Sequence, residues 1–370
     1  MTNRNLLYEI GITLIKGIGN LTAKQILDTL GDVSLLFTER KSVLEKMPGL
    51  SRRIINEIHS PDVLKRAEKE IRFIEKSQTK TLFITHSDYP FRLKECVDAP
   101  VMLYYLGNAD LNKEKIISIV GTRNATTYGR MLTEKLLQDL KETFPEVVIV
   151  SGLAYGIDII AHRAALKESL ATVGVLAHGL DMIYPSVHRN TAVEITVSGG
   201  LLTEFLSETN PDRQNFVKRN RIIAGLADCT IVVESAKKGG ALITANIADS
   251  YNRDIFAFPG KTTDKYSEGC NVLIKSKRAA LITSAEDIFK EMNWINPEKK
   301  QPQAIQRTIL LDLNPDEQIV VDALSKNENM QLNMISIRLN MPVSKLSAIL
   351  FELEMNGFVR CKPGGIYELV

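Results

Sequence analysis

Apolar positions along the 370-residue chain follow three successive patterns. In residues 1–76, Leu6, Leu7, Ile10, Leu14 and Ile15 recur at helical spacing, and Ile54, Ile55 and Ile58 do so again after the turn Pro48-Gly49-Leu50-Ser51. The spacing predicts a helical domain over 1–78. The pattern then changes to short apolar runs: Ile116 to Val120, Val147 to Val150, Thr172 to Ala177, Leu201 to Thr203, Thr230 to Val233, Ile255 to Phe258 and Ala279 to Ile282. Most are separated by enough chain for a crossover helix, as in a parallel sheet buried on both faces. This predicts an α/β, Rossmann-like core over 79–292. A polar stretch, Asn296 to Gln303, reads as a linker within 293–304. Residues 305–370 then show helical stretches near Asp316–Leu324, Gln331–Leu339 and Val343–Met355. A hairpin signal follows, Phe358 to Cys361 and Ile366 to Leu369 around Pro363-Gly364-Gly365, which is the outline of a winged helix.

Composition changes this picture little: 44% apolar and 24% charged residues exclude a disordered chain, a collagen-like repeat and a disulfide scaffold. The net charge of +2 does not by itself suggest a nucleic-acid partner. Divided by segment, it is +4 over 1–80, zero over 81–304 and −2 over 305–370. Cys96, Cys229, Cys270 and Cys361 are far apart, with neither a CxxC pair nor a nearby histidine set, so no metal or redox motif is expected. With no signal-like N-terminus and no apolar run of the ~20 residues a membrane span needs, a cytoplasmic protein without membrane attachment is expected.

Candidate chemistry gathers where predicted strands run into helices. Ile116–Val120 leads to Gly121-Thr122-Arg123-Asn124, then Thr126, Tyr128 and Gly129. A strand, a glycine turn and a helix start present main-chain donors to an anion. GxGxxG is absent and no acidic residue ends the next strand, so a dinucleotide cofactor is disfavoured and Arg123 suits a phosphate. Ser151-Gly152-Leu153-Ala154 repeats the arrangement, followed by Gly156-Ile157-Asp158 and Ala161-His162-Arg163. Asp158 and His162, four apart, are expected to make a structural contact rather than an acid–base pair, because no nucleophile or metal set accompanies them. Lys237-Lys238-Gly239-Gly240 and Pro259-Gly260-Lys261 form third and fourth loops of this kind.

The segment Asn210 to Arg221 concentrates Arg213, Lys218, Arg219 and Arg221 around Phe216 in an otherwise neutral region. Positive charge with an aromatic suits single-stranded nucleic acid, since every base offers a face and every nucleotide a phosphate. Near the N-terminus, Gly17-Ile18-Gly19 and Pro48-Gly49-Leu50-Ser51 with Arg52 and Arg53 have two readings: helix-hairpin-helix contacts to DNA phosphates, or ordinary tight turns between helices.

Taken in order, Val120–Arg123 with Tyr128-Gly129, Ser151–Ala154 with Gly156–Asp158 and Ala161–Arg163, Gly179–Asp181 with Tyr184-Pro185, Phe216 with Arg219–Gly225, Gly239–Ala245, Arg253–Gly260 and Gly269–Asn271 resemble the DNA-processing protein A family (DprA, also called Smf) across about residues 80–290. The flanking helical and winged-helix segments are similar too. The resemblance implies a single-stranded-DNA-binding protein that protects incoming strands and helps load RecA during natural transformation, acting as a homodimer through its core. It implies phosphate contacts at Gly121, Thr122, Arg123 and Gly129, with Ser151, Gly152 and Arg163 in the same groove. Charge and stacking would come from Arg213, Phe216, Lys218, Arg219 and Arg221, and Lys237, Lys238, Gly239 and Gly240 would close the groove.

Two departures from the family pattern are Tyr155, where a basic residue is expected, and Val217, where a proline often stands. The acidic winged segment, with Lys345 alone on its presumed recognition helix, favours a protein contact over duplex binding. The enzymatic alternative is a nucleotide-processing hydrolase of the lysine-decarboxylase-like or phosphoribohydrolase type. It lacks its catalytic glutamate, because the glycine loop runs Gly239-Gly240-Ala241-Leu242-Ile243-Thr244-Ala245.

Overall fold

A computed structural model describes residues 3–47, 49–294, 313–325, 330–362 and 365–369. The chain forms two compact units, Met1–Asn296 and Pro297–Val370. Residues 295–304 of the expected linker, together with Pro48 and Pro363-Gly364 of the expected turns, lie outside the described residues, whereas Trp294 packs edge-on to Phe144.

The first unit is built on a nine-stranded sheet. Its edge is an antiparallel pair that the sequence pattern missed, β1 (Lys80–Phe83) and β2 (Met102–Gly107). The seven expected runs all appear, with bounds displaced by a residue or two. They are β3 (Ile116–Val120), β4 (Val148–Ser151), β5 (Ala171–Val175), β6 (Gly200–Thr203), β7 (Cys229–Val232), β8 (Asp254–Ala257) and β9 (Ala280–Leu281). These seven are mutually parallel, and β2 joins them antiparallel to β6. Strand β3 is buried along its whole length, with Ile116 and Val120 contributing to one core and Ile117 and Ile119 to the other. Helices on both faces leave no solvent-facing side to alternate, so the strand reads as an apolar run around one buried serine, Ser118.

The strand order β1-β2-β6-β5-β4-β3-β7-β8-β9 fixes where a ligand can sit. The chain winds outward from β3 through β4, β5 and β6, then returns to the other side of β3 and winds through β7, β8 and β9. Loops leaving β3 and β7 therefore diverge over opposite faces, which opens a crevice at their carboxyl ends.

The helices over Asn3–Ser77 pack against the sheet within the first unit. Their buried Ile10, Ile12 and Ile71 continue into the same core as Leu82, Met102 and Tyr104. The buried Glu70 carboxylate accepts bonds from Arg66 (2.8 Å), the Ser207 amide (2.9 Å) and the Ser207 hydroxyl (2.6 Å). This pins the loop that enters the Arg213–Leu226 helix. Gly17-Ile18-Gly19 does form a turn between helices Asn3–Leu14 and Asn20–Leu30. On the second of these helices, Lys24 Nζ donates to the carbonyls of Cys96 (2.7 Å) and Val97 (3.2 Å), tying the hairpin to the core and giving it a scaffold role.

The second unit packs helices Pro315–Ser325, Leu332–Leu339 and Val343–Met355 with a three-stranded antiparallel sheet around Val320, Ile335, Leu346, Leu350 and Val359. Lys345 is paired with Asp316 at 2.5 Å, and its helix exposes Phe351 (63%) and Met355 (74%). Among the described residues, no single helix is long and apolar enough to cross a membrane.

Candidate functional site

A cavity of about 660 Å³ opens at the carboxyl ends of β3, β4 and β7. Three sequence features shape it. The loop after β3 is anchored by Thr122, whose amide donates to Glu234 O at 2.8 Å. The buried Glu234 carboxylate accepts the Thr126 amide (2.9 Å) and hydroxyl (2.5 Å), fixing the start of the Thr127–Thr143 helix. Asp212 caps the Arg213–Leu226 helix by accepting the Asn215 amide at 2.8 Å. From that cap, Arg213, Phe216, Val217 and Asn220 fall on one helical face and line the cavity. Gly239 and Gly240 bring the start of the Gly240–Ser250 helix to the opposite wall.

Phe216 is at the centre of the cavity's charged and aromatic groups. The Arg123 guanidinium lies 5.3 Å from its ring centroid, that of Arg219 5.8 Å, and the Tyr184 ring 5.9 Å. Arg123 is exposed, whereas Arg219 is only 3% exposed. Arg219 Nη1 donates to Gly152 O (2.6 Å) and to Val175 O, and Nε donates to Asn220 Oδ1 (3.3 Å). Nη2 makes no hydrogen bond among the described residues. A Cβ on Gly152 would come within 2.6 Å of both Arg219 Nη1 and Asp158 Oδ2, so glycine there makes room for this charged pair of neighbours. They form no direct ion pair. Burial pulls the Arg219 pKa down to about 10 and pushes that of Asp158 up, each partly offset by the other's charge. Lining charges are Arg123, Arg213, Arg219 and Lys238 against Asp158 and Asp212, an excess of positive charge in a neutral segment.

Nine of the sixteen expected site residues line this cavity: Gly121, Thr122, Arg123, Arg213, Phe216, Arg219, Lys238, Gly239 and Gly240. The others do not, and each has a physical reason. The Gly129 amide is already used, donating to Thr126 Oγ1 at 3.2 Å. The buried Ser151 hydroxyl donates to Ile119 O at 2.7 Å, and Gly152 lies beneath Arg219. Arg163 is farther along its helix, with Nε directed at Thr191 Oγ1 (3.3 Å). Two residues past Arg219 is about 200° around a helix. Arg221 accordingly points away, pairing with Glu204 and Asp98 O, and Lys218 is on solvent. Lys237 is exposed beside the lining Lys238. The loop at Pro259-Gly260-Lys261 is held by Tyr128, whose hydroxyl donates to Pro259 O at 2.9 Å, and stays outside the cavity.

The expected Asp158–His162 contact is also corrected. Asp158 turns to Arg219, and His162 Nδ1 donates to Thr172 Oγ1 at 2.8 Å, the Thr172 hydroxyl itself donating to Ile149 O. Sequence reasoning gave no role to Tyr184 or Asn220 and gave Asp158 only the contact with His162, yet all three line the cavity. The Tyr184-Pro185 pair was the visible signal for the first. Among the described residues, no cluster of three or more His, Cys, Asp or Glu side chains is placed to hold a metal.

Burial lowers the pKa of His162 to about 3 and also depresses that of His178, whose Nδ1 donates to Gly179 O and whose Nε2 accepts the Tyr184 amide. Groups with depressed folded-state values stabilise the fold above their unfolded pKa, near 6.5, and progressively less as pH falls below it. His162 alone is expected to cost about 1.4 kcal/mol between about pH 7.5 and about pH 5.5. Urea unfolding across that range should show the loss, and His162→Gln should reduce it. A stability unchanged over the range would contradict this account.

Residues 80–293 match the family described as DNA recombination-mediator protein A, and residues 302–365 match the DprA winged helix domain. The chain belongs to the DprA/Smf family. Protein Smf from Synechocystis is 30% identical over 403 residues, covering all of both chains. DNA processing protein DprA of Streptococcus pneumoniae is 41% identical over 206 residues, 56% of this chain and 72% of that protein. The X-ray structure of the S. pneumoniae DprA matches with a TM-score of 0.64 and 33% identity, covering 77% of this chain and 97% of that one. A structure of DNA processing protein A from Helicobacter pylori, described for its single-stranded DNA binding mode, matches with a TM-score of 0.53 and 29% identity, over 58% and 96% of the two chains. The DprA/Smf core of this chain is thus the sheet whose carboxyl edge carries the cavity, and its family is one of DNA processing in recombination.

Proposed function

We propose that this DprA/Smf protein binds single-stranded DNA without a fixed recognition sequence, protects incoming strands, and delivers them to a RecA recombinase during natural transformation. It works in the cytoplasm as a homodimer through its core, as a binding protein and not an enzyme. One observation carries the reading: the Phe216 ring has the guanidinium groups of both Arg123 (5.3 Å) and Arg219 (5.8 Å) against it in a net-positive cavity at the sheet's switch point. An aromatic face and flanking cations match the two features every nucleotide shares, its base and its phosphate. The H. pylori relative's described single-stranded DNA binding mode supports the same partner. The acidic winged helix, with Lys345 neutralised and Phe351 and Met355 exposed, suits contact with a protein.

Arg123 is exposed and makes no ion pair among the described residues, so its removal should leave the fold intact. Arg123→Ala is expected to weaken binding of a short oligothymidylate about tenfold and to flatten the dependence of log K on log salt by about 0.7. Fluorescence anisotropy over a salt series measures both. Unchanged affinity and slope would remove Arg123 from the interface and with it the groove assignment.

A further inference from the structure

The second unit presents a helix face that its own core does not use. In the Val343–Met355 helix, Leu346, Ile349, Leu350 and Leu353 are buried in that core. Ser344, Ala348, Phe351 and Met355 fall within about 30° of the opposite direction, and all four are exposed. The outward face of a surface helix ordinarily carries charge, whereas this one carries none. In a winged helix this third helix is the one that enters a DNA groove, and a face without a cation neutralises no phosphate. Exposed Met334 and Ile337 on the preceding Leu332–Leu339 helix add to the apolar surface.

The four positions are spaced four, three and four residues apart, which is the seam of a coiled coil. Small side chains come first and large ones last. When two copies pack antiparallel about a twofold axis, one register sets Ala348 against the partner's Phe351 and Ser344 against the partner's Met355. Each large apolar side chain then meets a small one, so the layers interdigitate without overpacking. Lys345 and Glu352, seven apart, flank one edge of the seam. In that register Lys345, held within its own chain by Asp316, is about 3 Å in axial height from the partner's Glu352, so opposite charges meet along the edge.

We infer that this face is a self-association surface, through which the winged-helix units of two chains pair antiparallel. The inference deepens the protein-contact reading of this unit and is independent of strand binding by the core.

The test uses the full chain with the exposed Cys361 replaced by serine, Cys96, Cys229 and Cys270 being buried. In the antiparallel register the two copies of residue 348 are offset by about 4.5 Å along the helices and those of residue 344 by about 16 Å. With a short bismaleimide, Ala348→Cys chains are expected to cross-link to dimers with a yield about tenfold above that of Ser344→Cys chains. Adding Phe351→Glu to Ala348→Cys should lower the yield about fivefold, because a carboxylate then enters the apolar contact. The comparison of positions 344 and 348 decides the question even where the Phe351→Glu protein fails to fold. Equal yields at the two positions would mean parallel pairing and overturn the inference. So would Ala348→Cys chains that never cross-link to each other, including chains that instead cross-link to added RecA, which would assign the face to a different protein. Oligothymidylate anisotropy on the same samples keeps the readings apart. Cross-linking absent with strand binding intact overturns the pairing alone, and strand binding absent with cross-linking intact overturns the proposed function alone.

Discussion

Gly156→Ala is expected to destabilise the core by about 4 kcal/mol and to abolish measurable strand binding together with it. Gly156 precedes the Ile157–Lys167 helix with φ +78° and ψ −127°, a conformation open to glycine and strained for any residue with a Cβ. Space is closed as well: an added Cβ would be 2.1 Å from Thr122 O and 2.7 Å from Arg123 Cα. These atoms are backbone, so no side chain can swing aside. The loop after β3 must move or the helix must lift, and Ile157 N, which donates to Thr122 O at 3.1 Å, loses its bond either way. The displaced segment carries Arg123, so a turn with no ligand contact of its own controls where a binding residue stands. Urea denaturation and oligothymidylate anisotropy on the same sample measure both effects. A Gly156→Ala protein with wild-type stability and affinity would mean that the β3 loop is far softer than its packing indicates.

The parallel strands were legible because burial on both faces leaves runs such as Ile116–Val120 almost wholly apolar, β-branched at every position except the buried Ser118. The pair β1 and β2 was not, since it sits in a segment whose pattern announced neither helix nor crossover, and its pairing with β6 is a long-range fact. The unity of the N-terminal helices with the sheet was hidden for the same reason: Glu70 meets Ser207 across a separation no periodicity encodes. At the site, the sequence marked the right helix and misjudged its faces. Clustering of Arg213, Lys218, Arg219 and Arg221 is a linear property, whereas cavity lining depends on angle. Residues 213, 216, 217 and 220 share a side, and Arg221, about 200° from Arg219, is drawn into an ion pair with Glu204. Asp158 was paired with His162 because they are four apart. Arg219, from another helix, is the nearer electrostatic partner. Glycines were read as phosphate-binding turns, yet Gly129 and Gly152 are there because carboxylate or guanidinium groups pass over them.

Arg219→Ala is the second substitution of large expected effect, and its outcome should differ in kind from that of Arg123→Ala. Arg123 is exposed, and its loss removes a cation from the rim while the fold keeps its bonds. Arg219 is a buried strut: Nη1 joins the carbonyls of Gly152 and Val175, at the ends of the neighbouring strands β4 and β5. Truncation leaves both carbonyls without that donor, opens space beneath Phe216, and strips Asp158 of the positive neighbour that offsets its burial. Unsatisfied buried groups cost about 1–3 kcal/mol each, so a total of about 3–5 kcal/mol is expected. The Asp158 carboxyl should rise further and take up a proton more readily, which limits the electrostatic part of the loss to the cost of neutralising it. Arg219→Lys keeps the charge but has no planar fork to span two carbonyls, and should fall between wild type and alanine in stability. Combining Arg123→Ala with Arg219→Lys separates the roles. Strand affinity should drop with each change, whereas the denaturation midpoint should follow position 219 alone. If Arg219→Ala unfolds at the wild-type midpoint, the two carbonyl bonds are not structural, and the buried guanidinium is held for its ligand alone.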